Sequence, residues 1–338
     1  MRNVDHRTAV ESPPGDDGVP LRPLTVTVAM LSYKRPQHLP AALERVRAQI
    51  ADVDPERWAA RVLIVDNDPE AGARPTVDAA AATDGPPIDY AHEPIPGIAS
   101  ARNHALEVAA ARGDEILVFI DDDERPEPGW LRALLLAHRR FRGACISGPV
   151  RPIFDGELDA WVRAGGFFER RHLETGAELA AAATNNLLLD MPSLERFGLR
   201  FDPDFGLTGG SDELLTRELV ALGIELRWCE EAAVLDLIPP ERTRREWVIR
   251  RTFRIGNGAT RVAIVTAGGP GARLLRRLRE AGRGLARSVA GIAQILLGMV
   301  TRSLRHRARG TRRLARGAGM LAAALGYHYV EYRRQKTS

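Results

Sequence analysis

Hydrophobic positions along this chain switch between two periods. Val26–Leu31, Val62–Val65 and Ile116–Ile120 are short, nearly unbroken apolar runs, the pattern of strands buried on both faces. Between them, Leu39, Leu43, Val46 and Ile50 recur at helical spacing, predicting a helix over 37–50. A second helix is predicted over 98–112, behind the Pro96-Gly97 break. An Ala-rich segment at 78–82 is compatible with a helix, and 88–91 with a short strand. Beyond these come a helix over 130–141, a strand over 145–150, and a loop plus a helix within 151–183. An apolar run at 187–189, a helix from 211 to near Gly223, and closing strands at 224–228 and 232–237 follow. This alternation predicts an α/β fold, a mainly parallel sheet with helices on both faces.

Three strands end in polar groups: Ser32, Tyr33, Lys34 and Arg35; Asp66; and Asp121, Asp122, Asp123 and Glu124. Ligands of open α/β sheets bind at this rim. Side chains alternate along a strand, so Asp121 and Asp123 point the same way. Paired carboxylates suit a hard divalent cation, Mg2+ or Mn2+, bridging to phosphates; a solvated acidic turn is the plain alternative. Neither a Gly-x-Gly-x-x-Gly turn nor a Walker A lysine follows the first strand. A nucleotide would therefore be held by acids and a metal. Further on, Gly209 and Gly210 open a helix that Ser211 or Asp212 is placed to cap.

Charge divides the chain. Residues 255–338 carry seventeen Arg or Lys against two acids, so residues 1–254 are net acidic although the whole is only +4. Two cysteines, Cys145 and Cys229, lack metal-site spacing and read as buried free thiols. Residues 1–22 have no apolar segment of the secretory type and read as a disordered leader. No run reaches the ~18 apolar residues of a membrane span; Ser288–Val300, thirteen uncharged residues, comes nearest.

Five segments, in order, resemble family 2 glycosyltransferases of the GT-A fold. They are Val28–Pro36, Val65-Asp66-Asn67, Pro96–Asn103, Phe119–Asp123 and Gly209–Leu214. Together with Trp247–Asn257 they are most similar to bacterial exopolysaccharide enzymes of the succinoglycan type, over about residues 24–258. The resemblance implies a transferase domain over 23–258, with 259–338 a basic helical extension. It implies that Ser32, Tyr33, Arg35, Asp66, Arg102, Asp121 and Asp122 contact a nucleotide-sugar donor, a UDP-sugar first among these. Asp121 and Asp123 would be the metal ligands and Asp212 the general base. Ser211 stands where the family has Glu, and Asp236 where many members have a metal-binding His.

A carboxylate can take the proton of an attacking hydroxyl, and a metal ion stabilises a departing nucleoside diphosphate. No nucleophile is set up for a covalent intermediate, so direct displacement with inversion is the simplest course. Arg250, Arg251 and Arg254 can grip phosphate or form a basic helix face. The repeated Arg and Leu of 272–316 read as basic amphipathic helices on an anionic membrane. Nucleic acid would meet the same charge but is not expected. The expectation is a peripheral enzyme on the cytoplasmic face of the plasma membrane, acting on a saccharide or lipid-linked acceptor. A metal-dependent nucleotidyltransferase and a non-catalytic sugar-nucleotide or membrane-surface binding protein are the alternatives.

Overall fold

The structure is a computed structural model describing residues 22–330 except Arg171 and Leu207; the expected leader lies outside these but for Arg22. The strands are β1 (Leu24–Ser32), β2 (Trp58–Asp66), β3 (Ile88–His92), β4 (Ile116–Asp121), β5 (Glu124–Pro126), β6 (Cys145–Ser147), β7 (Val150–Phe154), β8 (Asn186–Asp190), β9 (Leu226–Trp228) and β10 (Val234–Ile238). The helices are α1 (Leu39–Ala51), α2 (Arg74–Ala81), α3 (Ile98–Arg112), α4 (Trp130–Arg140), α5 (Ala160–Gly165), α6 (Met191–Phe197), α7 (Ser211–Ala221), α8 (Pro240–Thr243), α9 (Arg245–Val265), α10 (Gly269–Val300) and α11 (Leu304–Ala324).

Seven strands form the central sheet in the order β3-β2-β1-β4-β8-β6-β9, and β5, β10 and β7 form a second, smaller sheet. In the central sheet only β8 runs against its neighbours. Alternation explains why the first strands read as unbroken apolar runs. Val26, Val28 and Met30 of β1 face α1 and α4, whereas Ala29 faces α3 on the other side. The same alternation in β4 sends Ile116, Val118 and Ile120 to the first face, and Leu117 and Phe119 to the second.

The strand expected over 145–150 is two strands in different sheets, broken at Gly148-Pro149. A buried asparagine joins the sheets there. Asn186 Nδ2 donates to the carbonyl oxygens of Pro149 (3.1 Å) and Ala232 (2.7 Å), and its Oδ1 accepts from Trp130 Nε1 (2.9 Å). Truncation would take their side-chain partner from the buried Trp130 indole N–H and the Ala232 carbonyl oxygen, while the Pro149 carbonyl oxygen keeps the Val234 amide. Asn186→Ala should therefore lower unfolding free energy by ~2–4 kcal/mol, measured by urea denaturation.

The Ala-rich stretch before Thr184 forms no helix; it lies along β9, with Glu178 bridging Arg227. Residue 258, where the sequence places a domain division, falls inside α9. The basic extension is two long helices, α10 and α11. By length and composition α10 is long and apolar enough to cross a membrane, although its uncharged run is thirteen residues. Asn257 of α9 donates to the carbonyl oxygens of Gly319 and Tyr327 and accepts from the Tyr329 amide. The end of α11 is thereby fastened to α9.

Candidate active site

β4 ends at Asp121, and Asp122 and Asp123 form the turn into β5, so the strand alternation expected to align Asp121 with Asp123 stops at Asp121. Asp121 continues the Leu117–Phe119 side and meets Arg102 of α3 and Asp212 of α7. Asp122 lies near Arg35 and His38 as well as Asp123. Asp123 lies between two guanidinium groups, Arg35 at 3.5 Å and Arg242 of α8 at 3.7 Å.

Burial, then repulsion from Asp123, pushes the Asp121 carboxyl up to about 7 against the pull of Arg102. Burial and Asp123 likewise raise Asp122 to about 6. Glu124 is buried, accepts from the Asp121 amide (3.3 Å) and from Asn185 Nδ2 (2.7 Å), and is raised by burial and then by Asp121. On β10, Asp236 is raised by burial and Asp123, while Arg170 at 3.7 Å pulls it down. These are crowded, hard oxygen donors whose mutual repulsion a divalent cation would relieve. Among the described residues no three His, Cys, Asp or Glu converge as a ready cage. The donor set suits a cation held by one or two carboxylates and completed by phosphate oxygens.

Asp212 lies in the first turn of α7, but neither it nor Ser211 caps the helix. Gly210 does, with φ of 96°, a left-handed conformation that favours glycine. Asp212 Oδ1 accepts from the Glu213 amide (2.9 Å), and its Oδ2 stands 4.0 Å from Arg102 Nη2. Glu213 is held by Arg217 through two hydrogen bonds. The buried Arg102 donates from Nη1 to the buried Ser211 hydroxyl (2.8 Å) and lies 5.5 Å from the centre of the Phe201 ring. Ser211 thus gives Arg102 a neutral partner and leaves its charge to Asp121 and Asp212. The preceding loop is held from α9, where Arg261 stacks on Phe205 at 4.0 Å and donates to Thr208 and to the Asp204 carbonyl oxygen.

Ser211→Ala removes a hydrogen bond to a charged group, worth ~1.5–3 kcal/mol. The expected result is a fall in kcat of tenfold or more by this measure, with donor KM changed less, read from steady-state kinetics.

The other donor-side residues are placed differently. Asp66 is fully buried and accepts three internal hydrogen bonds, from the amides of Asp68 and Ala73 and from Tyr90 Oη at 3.0 Å. It thereby shapes the 67–73 loop. Burial and this bond raise the Tyr90 phenol to about 12. Asn67 ties the same rim to the next loop, donating to the carbonyl oxygens of Glu93 and Ile95 and accepting from the Gly97 amide. Ser32 is buried, and its hydroxyl has no partner among the described residues; Tyr33 is exposed.

Of the α9 arginines expected to grip phosphate, Arg250 is exposed, whereas Arg251 lies beside Phe168 and Trp247, at 5.5 and 5.6 Å from their ring centres. Burial, then Arg170 and Arg254, lowers Arg251 to about 10. Arg170, Arg242 and Arg261 are site-lining residues that sequence reasoning missed, and Ser211, read there as a cap or a departure, is the partner of Arg102. Arg242 and Arg170 sit in segments without periodicity or motif, and only the fold brings them beside Asp123 and Asp236.

Residues 27–197 match the family model described as Glycosyl transferase family 2. The succinoglycan biosynthesis protein ExoM of Rhizobium meliloti (strain 1021) is 30% identical over 251 residues, covering 74% of this chain and 79% of that protein. Among solved structures, the mannosyltransferase PcManGT from Pyrobaculum calidifontis, in complex with GDP-Man and Mn2+, aligns with a TM-score of 0.61 at 20% identity. The match covers 90% of this chain and 87% of that one. GalNAc-T7, solved with UDP, GalNAc and Mn2+, aligns at 0.52 and 14% identity over 72% of this chain and 48% of its own. These likenesses are of fold, the GT-A architecture.

Proposed function

The chain belongs to glycosyl transferase family 2 and is a glycosyltransferase, and we propose that it moves a sugar, with inversion, from a nucleotide-diphosphate sugar to a cell-surface saccharide acceptor. The observation that carries this reading is the meeting of Asp121, Arg102 and Asp212, from three separate segments, at one end of the sheet. The neighbours' bound nucleotides and Mn2+ support the donor class and a divalent metal. A relative named for succinoglycan biosynthesis supports a polysaccharide acceptor.

In this proposal Asp121 and Asp123 hold Mg2+ or Mn2+. The bound ion would supply electrostatic stabilisation of the departing diphosphate. Arg251 and Arg254 grip phosphate from α9, and Arg35 and Arg242, beside Asp123, add positive charge. The 67–73 loop shaped by Asp66 receives the base or ribose of a UDP-sugar. Arg102, fixed by Ser211, orients Asp212. Asp212 takes the proton of the acceptor hydroxyl as its oxygen bonds to the anomeric carbon. The bond from that carbon to the diphosphate oxygen breaks, and the nucleoside diphosphate leaves. One displacement turns an α-linked donor into a β-linkage. The acceptor is lipid-linked in this reading, and the enzyme sits peripherally on the inner face of the plasma membrane.

A panel of nucleotide sugars, tested for binding and hydrolysis with Mn2+ and with chelator, decides the matter. Metal-dependent release of a nucleoside diphosphate from one donor is expected. Release of pyrophosphate would establish a nucleotidyltransferase instead. If no nucleotide sugar binds under any metal condition, the transferase reading fails.

A further inference from the structure

The basic extension divides its two faces between the body and something outside it. Gly284, Gly291 and Gly298 of α10 lie against α11. The approach is close: a Cβ on Gly291 would stand 2.6 Å from the Leu314 amide nitrogen, and one on Gly317 2.7 Å from the Gly284 carbonyl oxygen. In turn α11 packs on α9 and α5. A Cβ on Gly319 would stand 2.0 Å from the Phe253 carbonyl oxygen, and Arg312 donates to the Gly166 carbonyl oxygen. The extension is therefore continuous with the transferase fold through α11, and α10 is its outermost layer.

The outer face of α10 is apolar. Leu274, Leu278, Leu285, Val289, Ile292 and Leu296 fall on one stripe at 100° per residue and are 47–64% exposed. Exposed Arg277 and Arg279 stand on its two flanks by the same geometry. An unbroken exposed stripe of this size marks an interaction surface. We propose that this face is where the enzyme docks on an anionic bilayer, α10 lying in the plane of the interface with its leucines among the acyl chains and its arginines at the headgroups. The proposal rests on the peripheral placement given above and names the surface that makes it.

Two observations favour lying over spanning. The uncharged run of α10 is thirteen residues, short of the ~20 a crossing helix needs. Its partner α11 carries six arginines, which a crossing hairpin would carry into hydrocarbon at severe cost. Docking also sets where the chemistry happens. Ala308 of α11 packs in one cluster with Trp161, Val162, Ile238 and Val248, and Ile238 is two residues from Asp236 in β10. That packing connects the acid rim to the docking layer through one intervening helix, α11.

The test is co-sedimentation of the full chain with phosphatidylcholine vesicles, with and without phosphatidylglycerol. Wild type is compared with the triple variant Leu285→Glu, Val289→Glu, Ile292→Glu and with Arg277→Glu, Arg279→Glu. Wild type should bind the phosphatidylglycerol vesicles preferentially. The triple variant should lose at least tenfold in partitioning, and the arginine variant should lose the preference for anionic lipid. Both should keep wild-type unfolding midpoints and donor hydrolysis. If wild type binds neither vesicle, the peripheral placement itself fails. If wild type binds and the triple variant binds equally, this face is wrong while the placement stands. A wild-type dimer that the triple variant turns into monomer, without change in vesicle binding, would assign the stripe to a second copy and overturn the proposal.

Discussion

Asp212→Asn is expected to abolish glycosyl transfer and leave donor binding intact. Asparagine keeps the shape of the side chain, and its carbonyl oxygen can still accept from the Glu213 amide as Asp212 Oδ1 does at 2.9 Å. What it loses is the capacity to take a proton and the attraction to Arg102, whose Nη2 lies 4.0 Å from Oδ2. General-base catalysis contributes ~10²–10⁴-fold, so kcat should fall by that factor while the Kd of the nucleotide sugar stays within about twofold. Transfer of labelled sugar and calorimetric donor binding read the two quantities separately. Glu213 is poorly placed to substitute, because Arg217 holds its carboxylate through two hydrogen bonds. A variant that retains a tenth of the activity or more would make Asp212 a helix-terminal residue and place the base elsewhere.

The parts of this arrangement that were legible in the sequence are those carried by short-range pattern. Five apolar residues running into Asp121, Asp122, Asp123 and Glu124 announced a buried strand and its acidic end, because a strand covered on both faces has no polar positions until it leaves the sheet. The order of β1, α1, β2, α3 and β4 followed from the same alternation of periods. What stayed hidden depends on contacts across long stretches of chain. Arg102 and Ser211 are 109 residues apart and meet in a buried hydrogen bond, and no local pattern marks serine as the partner of an arginine. Ser211 read from sequence as a departure and a candidate cap; the fold makes Gly210 the cap and leaves Ser211 to hold Arg102. The break at Gly148-Pro149 was passed over because both sides are β-forming, and only the pairing of Val150 with Val234 reveals a second sheet. The Ala-rich stretch before Thr184 misled in the opposite sense. Alanine favours helix weakly, and hydrogen bonds to Thr216 and to β9 hold that segment extended instead.

Asp123→Ala should cost more than any other single change on the donor side, and the loss should have the same signature as removing metal from the wild type. The argument is electrostatic. Asp123 raises both Asp121 and Asp236 by repulsion, so the three carboxylates share one field. Two guanidinium groups from separate segments approach the same oxygen of Asp123, Arg35 before α1 and Arg242 in α8. Without the carboxylate a divalent cation would keep Asp121 as its principal protein ligand, against the unbalanced charge of those two arginines. The ligating and electrostatic losses act together on the same ion. Affinity for the nucleotide sugar in Mn2+ should fall by about a hundredfold, the scale on which loss of even a supporting group weakens a metal site. Chelator should produce the same loss in wild type. Added Mn2+ or Mg2+ should restore wild type and leave Asp123→Ala unrestored. Asp122→Asn is the informative contrast, since the charged groups that act on that side chain are Asp123, Arg35 and His38, and neither Arg102 nor Asp212 is among them; it should lose less than tenfold in donor affinity and keep its metal response. If Asp123→Ala instead binds donor normally while Asp122→Asn does not, the ion is held by Asp122 and not by Asp123, and the assignment of Asp121 and Asp123 as its ligands fails.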